Sequence, residues 1–121
     1  MFIRSLDNCE EFVAGDGSLL RELLHPDKAE IDIRYSLAHA RVPPGETTKR
    51  HRLATSEVYY IIEGSGNMII NDQSRPVGPG CAVYIQPQAV QSIENTGATD
   101  LVFICMVDPA WRLEDEEILE D

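Results

Sequence analysis

Glycine and proline cut this chain into short pieces. They recur at Gly15, Gly17, Pro26, Pro43-Pro44-Gly45, Gly64, Gly66, Pro76, Gly78-Pro79-Gly80, Pro87, Gly97 and Pro109. Between them lie runs rich in Val, Ile, Tyr and Leu, which suit a pleated, half-buried strand. The pattern predicts strands at Leu19–Leu24, Ile31–Val42, Thr47–Arg52, Glu57–Glu63, Asn67–Asn71, Ala82–Gln86, Gln91–Asn95 and Leu101–Val107. Only Leu113–Glu120 has helical spacing. Many short strands with regular turn signals point to an all-β sandwich or barrel. No repeat or linker divides the 121 residues, so one domain spanning 1–121 is expected.

Charge narrows the partners. A net charge of −11 argues against nucleic acid, because nothing here would replace the counterions around phosphates. The last nine residues, LEDEEILED, hold six of the acidic side chains, and such a run reads as a solvated tail or short surface helix. No stretch has the roughly 18 apolar residues that a membrane helix needs. The N-terminus, MFIRSLDNCEEF, is charged almost at once, unlike a secretory signal. Cys9, Cys81 and Cys105 are odd in number and lack CxxC spacing, which predicts reduced thiols in a cytoplasmic protein.

Alternation along Ile31–Val42 places Ile31, Ile33, Tyr35 and Leu37 on one face. By the same parity His39 and Arg41 follow the apolar set inward, toward the mouth of a barrel. If the strand instead bends at Pro43, both reach solvent. Leu101–Val107 is apolar on both faces, as in a strand covered on both sides.

The stretch GETTKRHRLATSEVYYIIEG, residues 45–64, carries Gly45, His51, Glu57 and Gly64 at set intervals. A second stretch, GCAVYIQPQAVQSIEN, residues 80–95, carries Gly80, Pro87, Gln91 and Asn95. The two resemble the paired motifs of the cupin superfamily, G(X)5HXH(X)3-4E(X)6G and G(X)5PXG(X)2H(X)3N. The departures are specific: Leu53 replaces the second histidine, Gln86 the proline (Pro87 follows it), Gln88 a turn glycine, and Gln91 the last histidine. The resemblance implies a small antiparallel β-barrel, a jelly roll or double-stranded β-helix, with residues 108–121 as an acidic tail.

In cupins the motif positions converge on a metal, typically held by three histidines and a glutamate. Carried over, the resemblance implies a set of His51, Glu57 and Gln91, since Leu53 has no donor. An amide oxygen is a weaker ligand than imidazole for zinc, iron or copper, so manganese or iron(II) is favoured, with zinc also compatible. The competing reading has no metal: His51, Glu57 and Gln91 hydrogen-bond one another inside the barrel. His39 is a candidate general base or second nitrogen ligand. Tyr59, two residues after Glu57, shares its face and is a candidate ligand contact. The resemblance brings the final strand to the pocket, with Phe103 and Cys105 facing it, and size and family habit imply a homodimer.

Two functions follow. One is a metal-dependent enzyme acting on a small oxygenated molecule by oxygenase, isomerase or lyase chemistry. The other is a metal-free module that binds a sugar or organic acid, with Arg41 pairing the anion.

Overall fold

A computed structural model describes all 121 residues. In chain order the strands are β1 Phe12–Val13, β2 Leu19–Leu24, β3 Ser36–Val42, β4 His51–Leu53, β5 Ser56–Glu63, β6 Gly66–Ile70, β7 Gln73–Val77, β8 Ala82–Ile85, β9 Gln91–Asn95, β10 Leu101–Asp108 and β11 Glu116–Ile118. They form two antiparallel sheets, ordered β1-β2-β3-β10-β5-β8 and β11-β4-β9-β6-β7. This is the all-β, cupin-like barrel that the motifs imply. No helix is long and apolar enough to cross a membrane.

Period-two burial builds the interior. On β10, Leu101, Phe103, Cys105 and Val107 are buried, while Met106 and Asp108 on the other face are exposed. On β5, Glu57, Tyr59 and Ile61 point inward. Phe103 pairs with Ala40 and Cys105 with Ala38, so small side chains on β3 face the larger ones of β10.

The motif residues explain themselves locally. Gly64 has φ 86°, and a Cβ there would lie 2.6 Å from the Asp100 carbonyl, so only glycine fits. Gln88 stands where the motif has glycine and retains the left-handed backbone, φ 69°. Asn95 donates to the carbonyls of Val42 and Thr99 and accepts from Gly97 N, all at 2.8 Å, which pins the turn before β10.

Several expectations need correction, among them the strand at Thr47–Arg52, which forms only over His51–Leu53 with an isolated bridge at Thr47. The strand expected from Ile31 begins only at Ser36, because residues 31–35 run irregularly outside the sheet. The inward set of β3 is therefore Ser36, Ala38, Ala40 and Val42, while Leu37, His39 and Arg41 lie on the outer face. The segment Leu113–Glu120 is not helical. A 3-10 turn, Leu113–Asp115, leads into β11, which pairs with β4 through Glu116↔Leu53 and Ile118↔His51. Its acidic residues meet bases: Glu117 contacts Arg52, and Glu120 bonds Arg50 at 3.0 Å. Pro76 hid β7 from the sequence reading, and the strand is an edge, where proline is tolerated.

Candidate functional site

A cavity of about 320 Å³ opens between the sheets. Its walls are mainly apolar, with Leu20, Leu53, Phe103 and Trp111 among them. His51, Glu57, Tyr59 and Cys105 line it, as does Ser36. Three further carboxyl groups reach it that the motifs do not contain. Asp16 comes from the β1–β2 turn, Glu22 from β2 and Glu116 from β11.

Motif spacing brings the central residues together. His51 on β4 pairs with Gln91 on β9, so their side chains share one face of the five-stranded sheet. Gln91, only 1% exposed, reaches across to the other sheet. Its Nε2 donates to Glu57 Oε1 at 3.0 Å, and its Oε1 accepts from the Tyr59 hydroxyl at 2.9 Å. The Tyr59 ring stacks on Phe103 with centroids 4.4 Å apart.

His51 is held from its other side. Its Nδ1 lies 2.8 Å from the Lys49 carbonyl, which only accepts, so Nδ1 carries the proton. In the neutral ring Nε2 is then an acceptor aimed at the cavity, 3.8 Å from Asp16 Oδ2 and beyond hydrogen-bond reach. Asp16 Oδ1 accepts from Ser18 N at 2.9 Å and Ser18 Oγ at 2.7 Å, which fixes the turn that presents Oδ2.

The electrostatics follow from burial. Loss of water pushes the Glu57 carboxyl from its ordinary 4.5 up to about 8. The Gln91 hydrogen bond opposes the rise, while the negative charges of Asp16 and Glu116 add to it. Glu57 is therefore a neutral acid near pH 7. Burial, then Glu57, raises the Tyr59 phenol and the Cys105 thiol well above their usual values. Cys105 is a packed thiol, since a reactive one needs a lowered value. Burial also raises Glu116, opposed by His51 when that ring is protonated and by a hydrogen bond with Trp111.

His51, Glu57 and Gln91 converge as the motif spacing predicts, and Tyr59, Phe103 and Cys105 stand around them. The hydrogen-bond set differs in one partner: Tyr59, not His51, completes the Glu57–Gln91 chain. The expected inward direction of His39 and Arg41 is corrected. His39 is half-buried outside the barrel, where burial and then the charge of Arg21 lower its pKa. Arg41 bonds Glu11 at 2.7 and 2.8 Å and Asp100 at 3.1 Å. His25 clips the tail: its Nε2 bonds the Trp111 carbonyl at 2.8 Å.

The implied metal set does not fit this geometry. Gln91 turns its nitrogen, not its oxygen, toward Glu57, and its oxygen is taken by Tyr59. Leu53 presents only carbon, and no three His, Cys, Asp or Glu side chains are gathered to hold an ion.

Comparison with known proteins agrees with the architecture. A family model described as a cupin domain matches residues 38–107. An uncharacterized protein of Methanocaldococcus jannaschii is 41% identical over 115 residues, covering 94% of this chain and 91% of the relative. A Thermotoga maritima protein named oxalate-binding protein is 32% identical over 90 residues, 74% of this chain and 69% of its own. Among solved structures, that of Pac13, described as a unique nucleoside dehydratase, superposes with a TM-score of 0.80 at 17% identity, covering 99% of this chain and 92% of that one. At that identity the likeness shows the fold alone.

Proposed function

The chain belongs to the cupin family, and from that premise we propose that its cavity binds a small oxygenated molecule and transfers protons on it without a metal. Glu57 is the acid and His51 the base. One observation carries the reading. Glu57 has one oxygen fixed by Gln91 and the other free in the cavity, which it shares with the acceptor nitrogen of His51. A proton donor and a proton acceptor facing one space are what lyase and isomerase chemistry requires.

In an elimination, His51 Nε2 takes the proton from carbon and that electron pair becomes the new double bond. The carbon–oxygen pair leaves with the hydroxyl, and the Glu57 proton completes a water molecule. The resulting carboxylate and imidazolium reset through solvent. In an isomerisation the same pair removes a proton at one carbon and supplies one at an oxygen or a second carbon. Tyr59 and Gln91 hold the Glu57 carboxyl in place, and the apolar wall keeps it protonated.

The test is a turnover screen of small hydroxy and carbonyl compounds for water loss or isomerisation. Wild type is expected to act on at least one, with Glu57→Gln slower by about a hundredfold or more, the range of acid–base catalysis. Turnover that survives Glu57→Gln, or that needs added divalent metal, sinks the reading. Binding without turnover would leave a ligand-binding module.

The same reading includes a homodimer. Tyr60 (49% exposed), Tyr84 (64%), Ile62 and Met106 leave an apolar patch on the outer face of β5, β8 and β10. Sedimentation should give a dimer that Tyr84→Glu dissociates, and a monomeric wild type would overturn it.

A further inference from the structure

The cavity is rich in carboxyl groups and poor in cations. Asp16, Glu22, Glu57 and Glu116 line it, against Lys28 and His51. Lys28 is already matched, in contact with Glu22. Asp16, Glu57 and Glu116 therefore face at most one positive charge, that of His51. Asp16 and Glu116 belong to one neighbourhood: the Glu116 carboxyl rests against the bare Cα of Gly15, where a Cβ would lie 2.9 Å from its Oε1.

A ligand is indicated independently of that charge. His51 is 3% exposed and Glu57 7%, yet each aims a polar atom without a protein partner into the space, Nε2 and Oε2. Both atoms belong to buried side chains and are left open to a molecule that enters the cavity. The sequence candidate for an anion partner, Arg41, is outside the barrel and occupied by Glu11 and Asp100.

We propose that the ligand carries a positively charged nitrogen, an ammonium or amidinium, seated at Asp16 and Glu116, with its oxygenated end at Glu57 and His51 and its carbon body against Phe103 and Trp111. The inference deepens the proton-transfer reading by naming the substrate class of that site. It runs opposite to a dicarboxylate such as oxalate, which would meet carboxyl groups where it needs cations. The net charge of −11 also draws cations toward the molecule.

The test uses three probes of one shape, 2-phenylethylammonium, 2-phenylethanol and phenylacetate, titrated calorimetrically into the full chain at pH 7 and low salt. The ammonium should bind at least about tenfold more tightly than the alcohol, with phenylacetate weakest. Asp16→Asn and Glu116→Gln should each cut that preference by at least about threefold, while His39→Ala, on the outer face of β3, leaves it in place. Glu116 is the safer of the two, since Asp16 also fixes its turn. Phenylacetate binding as well as the ammonium overturns the proposal. So does an absence of preference over the alcohol, failure of all three to bind, or a preference untouched by both variants. A preference that persists where Glu57→Gln spares turnover would remove the proton-transfer reading and leave this one standing. The reverse pair of results would do the opposite.

Discussion

The two faces of β3 handle polar groups in contrasting ways. On the outer face, Arg41 is answered by Glu11 and Asp100, and Arg21 lies 3.8 Å from Glu11. Donors and acceptors there close on each other. On the inner face, Ser36, Ala38 and Ala40 are small and leave room, and the walls around that room carry His51 and Glu57, whose Nε2 and Oε2 have no hydrogen-bond partner, beside Asp16 and Glu116. Residue type does not separate the faces, since each has a histidine and carboxyl groups. Satisfaction does. A charged cluster that pairs internally is structure, whereas polar atoms held rigid and left unpaired around a cavity are a site in waiting.

The largest effect that probes this contrast is the pH dependence of stability. Glu57 releases its proton near 4.5 in the unfolded chain and at about 8 in the fold. Below 4.5 both states hold the proton, and its contribution to stability is fully present. From there to 8 only the unfolded chain has lost it, so each rising pH unit removes about 1.4 kcal/mol. Beyond 8 the loss stops. Urea denaturation between pH 5 and 8 should show wild type weakening with pH and Glu57→Gln losing most of that slope. The raised Glu116 gives a residual slope of the same sign, and the lowered His39 gives one of opposite sign below its ordinary 6.5, alike in both proteins. The lowered Glu11 and Glu120 act only in more acidic solution. Parallel curves for wild type and variant would mean that Glu57 is ionised in the fold, and the inner face would then be as self-satisfied as the outer.

The inner site was half legible in the sequence, for identifiable reasons. Positions 51, 57 and 91 were placed in one interior by the resemblance of their two motifs to those of cupins, and strand parity supplies the physical reason that they converge. The partner choice was not legible. Whether Gln91 bonds His51 or Tyr59 depends on side-chain reach across the barrel, which spacing does not encode. Parity failed on β3 because residues 31–35 alternate like a strand while lying outside the sheet, and the inward set, Ser36, Ala38, Ala40 and Val42, is mostly too small to stand out as an apolar face. That put His39 and Arg41 on the wrong face. Asp16 sits in a Gly-Asp-Gly turn that signals a tight bend but not where its carboxyl points. Glu116 was lost to the helical spacing of Leu113–Glu120, although Glu116 and Ile118 also alternate as a strand. Arg50 and Arg52 on the facing segment are the charge complement that would have favoured strand pairing.

The outer face supplies the smaller effects. Arg41 is about one-third exposed, so its ion pairs are partly screened and Arg41→Ala should cost no more than about 1 kcal/mol, a loss that molar salt largely erases. His39→Ala removes a half-buried ring that faces neither the cavity nor a bound partner, and should change stability by less than about 0.5 kcal/mol. Neither variant should alter the ammonium preference or the turnover of the inner site. Because β3 carries both faces, a distortion of the strand would disturb stability and ligand binding together. The revealing outcome is therefore a split: His39→Ala folding with wild-type stability while losing turnover. That result would bring the outer histidine into the chemistry and show that a polar group without a cavity in front of it still has work beyond holding the sheet.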